Sequence, residues 1–297
     1  MNATVGRPGG RMDLTARDRT LRGESRWGLM ALGIVTWLVA ALFFFPVFWM
    51  VLNSFKTELV ANTKPVLFFE PTLDRWQAVT EETPGLLSFS EAFTNSFIIV
   101  IVSTLIVLLL AIPAAYALSI YPIKAWRDAL FFFISTKFLP IVAAILPLWI
   151  IAKELSLLNT HLVLIILYTA MNLPLAVWML NSFFREVPRE LIEAAQMDGT
   201  GLYGQIKDVM LPIVAPGVAA TALLCFIFAW NEFFLAVQLN PVDASTVPVW
   251  VSTNVTTRGN FMARLSAAST LAVLPVVIAG WVAQKRMIRG LSMGAIK

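Results

Sequence analysis

The chain has 297 residues, 58% of them hydrophobic and only 13% charged, with a mean hydropathy of +0.77. A soluble domain carries roughly 25% charge, so this composition excludes an ordinary soluble protein and points to a polytopic membrane protein. One cysteine (Cys225) permits no intrachain disulfide, and one histidine (His161) excludes a His-rich metal site. No lysine follows a glycine, so there is no phosphate-binding P-loop, and the net charge of +4 is dispersed beside apolar runs rather than gathered into a nucleic-acid patch.

Residues 1–27 are rich in Arg with Gly and Pro, lack apolar periodicity, and read as a disordered cytoplasmic tail. Six apolar stretches follow, at 28–52, 92–123, 129–152, 161–184, 212–238 and 265–284. Each reaches the roughly 20 residues that a helix needs to cross a bilayer. The predicted fold is therefore an all-α membrane protein with six transmembrane helices. Lys and Arg concentrate in 1–27, 121–128, 183–211 and 285–297. The intervening loops hold fewer, namely Lys56, Lys64, Arg75, Lys153, Arg258 and Arg264. By the positive-inside rule both termini and the 183–211 loop are cytoplasmic. The first outer loop, 53–91, is acidic (Glu58, Glu70, Asp74, Glu81, Glu82, Glu91), as suits an external surface.

Ionisable and amide side chains inside apolar spans are costly and mark candidate translocation paths. Lys137 has three readings: a solute contact, a partner for a neighbouring chain's carboxylate, or a long stem that snorkels to the interface. Asn172, beside Pro174, either satisfies the backbone that the proline opens or touches solute. Asn231 and Glu232 lie late in the fifth stretch, on a translocation path or at the outer interface. His161 opens the fourth stretch and is expected to play an interfacial structural role. Most tryptophans flank spans, as in an interfacial belt. The loop 239–264 is rich in Thr, Ser and Asn and is long for a plain connector.

The stretch 189–212, RELIEAAQMDGTGLYGQIKDVMLP, interrupts the apolar second half. Pro188 can open a helix, since its missing N–H is not needed there. Leu191, Ala194, Ala195 and Asp198 fall at helical spacing on a small apolar side. Gly199 stands where a helix ends in a left-handed residue. A second short helical run follows, from 202 to 210. The stretch reads as a short docking helix between two spans.

Its spacing resembles the "EAA" loop of ABC importer permeases: Glu193-Ala194-Ala195, Gly199, Val209 in place of the usual isoleucine, then Leu211-Pro212. Further similarity to the carbohydrate branch lies in Phe45-Pro46-Val47-Phe48-Trp49-Met50, Ser54-Phe55-Lys56-Thr57, Pro113-Ala114-Ala115-Tyr116-Ala117-Leu118, Trp230-Asn231-Glu232-Phe233 and the C-terminal Arg289-Gly290-Leu291-Ser292-Met293-Gly294-Ala295. Phe69-Glu70-Pro71-Thr72-Leu73 and the tail to Lys297 look most like the subunits that handle sugar alcohols such as mannitol or sorbitol.

The resemblance implies a type I ABC importer permease with a cytoplasmic coupling helix. A permease domain would span 28–288, with the coupling loop at 189–212 and a cytoplasmic tail at 289–297. It implies a bacterial plasma-membrane subunit, itself no enzyme. Its expected partners are a second homologous permease, two ATPase subunits, an extracytoplasmic solute-binding protein, and a sugar or polyol as substrate. No cofactor is expected on this chain; ATP and Mg would sit on the ATPases. Glu193, Ala194, Ala195, Asp198, Gly199, Leu211 and Pro212 would form the coupling loop. Arg289, Gly290, Leu291, Ser292, Met293 and Gly294 would line the ATPase interface. The alternative is a secondary transporter of a small polar solute. That reading expects paired repeats and discontinuous helices around central carboxylates.

Overall fold

The computed structural model describes residues 26–63, 65–80, 87–121, 123–253, 255–256 and 259–294. The expected disordered tail falls almost wholly on 1–25, outside the described residues. The chain divides into two units, Met1–Val51 and Leu52–Lys297.

The elements in order are α1 (Arg26–Asn53), α2 (Glu58–Thr63), α3 (Asp74–Thr80), α4 (Phe89–Ile120), α5 (Trp126–Ser135) with a 3-10 turn (Thr136–Phe138), and α6 (Ile141–Glu154). Then come α7 (His161–Arg185), α8 (Arg189–Met197), α9 (Leu202–Gly204) with a π turn (Gln205–Met210), and α10 (Leu211–Trp230). The chain closes with α11 (Phe234–Leu239), α12 (Val247–Ser252), a two-residue antiparallel ladder (Val255–Thr256 with Gly259–Asn260), and α13 (Met262–Gly294). Among the described residues five helical runs are long and apolar enough to cross a membrane: Gly28–Asn53, Phe89–Ile120, His161–Arg185, Leu202–Trp230 and Met262–Gln284.

The first unit holds most of α1. This helix is apolar around its whole circumference, and Trp37, Leu42 and Phe43 are exposed. A helix hydrophobic on all sides suits lipid contact.

In the second unit α4 and α7 share the most extensive interface, α10 packs on both, and α13 packs on α10. A capping box starts α4: the Glu91 N–H donates to Ser88 Oγ (3.2 Å) and the Ser88 N–H donates to Glu91 Oε2 (2.8 Å). Two buried clusters result. One gathers Ile99, Tyr168, Trp230 and Trp250; the other gathers Tyr116, Leu180, Phe184, Ile192 and Met210 beside α8. Where α10 crosses the end of α7, a Cβ built on Gly217 would lie 2.4 Å from the Phe183 ring. Gly217→Ala therefore forces the ring aside. We expect a loss of about 1–3 kcal/mol, the usual cost of overpacking. Thermal denaturation of the detergent-purified chain measures it, and Phe183→Leu in the same chain should restore part of the loss.

Two predicted spans differ from the structure. The 129–152 stretch is not one straight span: α5 and its 3-10 turn meet α6 at an 86° bend. Pro140 is the cause. It supplies no N–H, and it drives Leu139 out of the helical region to ψ 123. Apolar length alone concealed this break. The 212–238 stretch also divides, because α10 ends at Trp230 and α11 starts at Phe234. At the other end of this span the helix begins earlier than expected, at Leu202, and runs through Leu211-Pro212 without interruption. The final helix continues through 289–294, so the expected tail begins as helix.

The end of the unit remote from α8 is knit together by polar side chains. Glu58, on α2, accepts from the N–H groups of Ala263 (3.0 Å) and Arg264 (2.9 Å), and so caps α13. Lys56 is buried, bonds Asn53 Oδ1 at 2.8 Å and lies 5.2 Å from the centre of the Phe69 ring. The described first part of the 239–264 connector, up to 253, packs into the core. Val247 and Trp250 are buried, the Val247 N–H donates to Ser96 Oγ (2.8 Å), and Trp250 Nε1 donates to the Leu87 carbonyl (3.0 Å). His161 Nε2 bonds Asn95 Oδ1 at 2.7 Å, and the Asn95 amide donates to the carbonyls of Asp243 and Ser245. His161 thus joins a hydrogen-bonded set that links α4, α7 and the connector.

Candidate functional site

Between α7 and α10 the chain leaves the bundle and returns through α8. Pro188, expected as its first helical residue, is instead its N-cap (φ −57°, ψ 131°), and the helix starts one position later at Arg189. At the other end the Gly199 N–H donates to the Gln196 carbonyl (3.0 Å) and the Thr200 N–H to the Ala195 carbonyl (2.9 Å). This pair of bonds is a Schellman motif, and it requires a left-handed residue at Gly199, whose φ is +76°. The glycine termination follows the sequence expectation.

The faces of α8 are phased one residue differently from that expectation. Ile192 and Ala195 face inward and are buried. Leu191, Glu193, Ala194 and Asp198 are exposed, so the expected four-residue side is divided. A helical period fixes spacing but not which of two adjacent stripes meets the core. Met197 is 89% exposed and Tyr203, just beyond the turn, is 75% exposed. Leu191 and Leu202 are exposed as well, and these apolar side chains are interspersed with charged Arg189, Glu190, Glu193 and Lys207. Several large apolar side chains exposed over so short a stretch suit a protein docking surface.

Behind this surface lies Gln205, which sequence reasoning missed. It is 5% exposed. Its Nε2 donates to the Thr200 carbonyl (2.7 Å), and its Oε1 accepts from the Tyr116 hydroxyl (2.6 Å) on α4 and from Gln196 Nε2 (3.4 Å) on α8. Gln205 opens the π turn. There the Leu211 N–H reaches back five residues to the Ile206 carbonyl. Pro212 has no N–H to offer, and the wider turn carries the helix past it into α10. Leu211 and Pro212 are thus inside a continuous helix.

The four path candidates fall into two places. Lys137 Nζ donates to the Met171 carbonyl (2.8 Å) and stands 5.6 Å from the centre of the Phe228 ring. Next to Met171, buried Asn172 donates to the Cys225 carbonyl of α10 (3.2 Å), while its Oδ1 has no hydrogen-bond partner among the described residues. Asn172 therefore ties two helices together instead of serving the backbone opened by Pro174. Glu232 is elsewhere, in the break between α10 and α11. It accepts from the Tyr168 hydroxyl (3.0 Å) and from the N–H groups of Leu235 (2.9 Å) and Ala236 (3.2 Å). Asn231 bonds back to the Ile227 carbonyl (2.8 Å). Arg289, Gly290, Leu291, Ser292, Met293 and Gly294 lie on the last turns of α13. Ala295–Lys297 lie outside the described residues.

No family model matches the chain. Individual proteins do. It is 35% identical over 260 residues to the sulfoquinovosyl glycerol transport system permease protein of Agrobacterium fabrum, covering 85% of this chain and 88% of that protein. The chain belongs to the ABC transporter permease family. Another family member, the trehalose/maltose transport system permease protein of Thermococcus litoralis, is 31% identical over 91% of this permease and 96% of its own length. An inner membrane ABC transporter permease protein of Escherichia coli is 31% identical over 96% of this permease and 100% of its own length. The fold agrees with a chain of a bacterial ABC transporter involved in alginate import, at a TM-score of 0.71 and 21% identity, covering 88% of this permease and 98% of that chain.

Proposed function

We propose that this permease is one of two membrane subunits of an ATP-driven importer for a sugar or sugar derivative. The observation that carries the reading is α8: a short helix held between two long apolar helices, whose exposed side mixes Leu191, Ala194 and Met197 with Arg189, Glu190 and Glu193. It docks in a cleft on a partner ATPase. Ala194 allows close approach, Glu193 meets a basic residue of the ATPase, and Gly199 makes the turn. The 189–212 loop and both termini are cytoplasmic, and the end of α13 lies along the ATPase pair. ATP and Mg sit on those partners, and this chain carries no cofactor. An external solute-binding protein delivers the solute to the opposite end. ATPase closure moves α8 and switches the spans between inward-open and outward-open states.

Two points bear on the solute. Two of the relatives described above are named for sulfoquinovosyl glycerol and for trehalose and maltose. The narrower sugar-alcohol reading rests only on the resemblances at 69–73 and 290–297. Lys137 and Asn172, at the bend of the third span, are the candidates for contact with solute, whereas Glu232 has a structural set of partners.

The deciding experiment is ATP hydrolysis by the assembled complex in proteoliposomes. The binding protein is added with trehalose, maltose, mannitol, sorbitol or no sugar. Stimulation of several-fold by trehalose or maltose is expected. Stimulation by mannitol or sorbitol alone selects the sugar-alcohol reading. If no ATPase assembles with the chain, the docking role of α8 falls.

A further inference from the structure

The docking helix must transmit force to the membrane spans, and its contacts divide by kind. Ile192 and Ala195 touch the bundle through apolar surfaces. Such contacts are non-directional and allow one helix to slide over another. The directional link passes through Gln205. Its amide orientation is fixed by chemistry: the Thr200 carbonyl can only accept, so the NH2 must face Thr200 and the oxygen must face Tyr116. Tyr116 must then donate its hydroxyl proton. The side chain of Gln196 adds a donor from α8 itself. Gln205 thereby holds the residue just after the Schellman turn, the last turn of α8, and the α8-facing end of α4. Gln205 and Tyr116 are 5% and 2% exposed, so water does not compete for these bonds.

A second observation is independent of these bonds. Gln205 opens the π turn, where the helix departs from regular winding before entering α10. Beside it Gly204 comes so close to Thr200 that a Cβ there would lie 2.6 Å from Thr200 Cγ2. The turn after α8 is thus pressed onto the start of the next helix and pinned there by the amide.

We propose that Gln205 and Tyr116 form the joint through which displacement of α8 reaches the membrane helices, with Gln205 as the positioning residue. The inference rests on the docking role given to α8 above. It predicts that the joint serves coupling, not assembly or ATP chemistry, since neither side chain lies on the exposed face of α8.

The test uses the complete complex in proteoliposomes, with ATP and the same four sugars as probes. Tyr116→Phe removes one hydroxyl and keeps the ring. Gln205→Glu keeps the acceptor for Tyr116 but loses the donor to Thr200. Both variants should retain ATPase subunits and hydrolysis, and sugar taken up per ATP hydrolysed should fall about tenfold. The double variant should be no worse than the poorer single variant, since both break one chain of bonds. Uptake per ATP equal to that of the unaltered complex overturns the joint. So does a fall of uptake and hydrolysis by one common factor, which marks a merely structural role. Ala194→Arg, on the exposed face, separates the two readings. If it leaves the ATPase bound, the docking role fails. If it releases the ATPase while the joint variants couple normally, only the joint fails.

Discussion

Gly199→Pro leaves the permease inserted in the membrane and reduces its transport at least about tenfold. Proline fixes φ near −65°, while this position holds +76°, and it deletes the N–H that bonds the Gln196 carbonyl. The Schellman turn cannot form, so Thr200 is displaced from Gln205 and α8 loses its defined end. A shift of roughly 1.4 kcal/mol in the docked geometry already changes its population tenfold. Gly199→Ala is the matched control. A Cβ there meets nothing within 4 Å, so only the left-handed backbone resists it, at a cost of about 1–2 kcal/mol. Transport should therefore fall in the order glycine, alanine, proline. Membrane insertion is read by fractionation, and transport by uptake in the reconstituted complex. Proline transport equal to that of the parent removes the coupling role of this turn.

Glu232→Ala should cost about 3 kcal/mol of stability while leaving the choice among sugars unchanged. The carboxylate serves three donors: two N–H groups at the start of α11 and the hydroxyl of Tyr168, which is 1% exposed. Removing it strands them, and an unsatisfied buried donor costs about 1–3 kcal/mol. Glu232→Gln keeps an acceptor oxygen and should cost about 1 kcal/mol. Thermal denaturation of the detergent-purified permease separates the two variants, and uptake of the four sugars tests selectivity. A change in sugar preference with intact stability would place Glu232 on the translocation path and reverse this assignment.

The sequence made some of this geometry visible and hid the rest for identifiable reasons. Glycine at 199 was legible because a left-handed helix end nearly demands it. The limits of α8 followed from Pro188 and that glycine. Its inward stripe did not, since Leu191 and Ile192 are both apolar and one residue of phase decides between them. Gln205 gave no signal, because a lone glutamine in a helical run reads the same whether it faces water or a buried tyrosine 89 positions earlier. Pro140 was legible as a proline but not as an 86° bend, because prolines elsewhere, such as Pro113 and Pro275, sit within unbroken helices. Glu58 was counted as a loop charge, and Glu232 as a candidate for the translocation path or the outer interface. Their role as helix caps depends on which chain ends fold back to meet them, and no local pattern records that.

The bond from Glu58 to Ala263 spans 205 positions of chain. Ribosomes add about 5–20 residues per second, so the carboxylate waits on the order of 10–40 s for its partner to be made. Until then the start of α13 does not exist, and the end of the second unit remote from α8 cannot close. That contact is therefore among the last the growing chain can make, and a chain ending before α13 lacks both N–H groups that Glu58 accepts from.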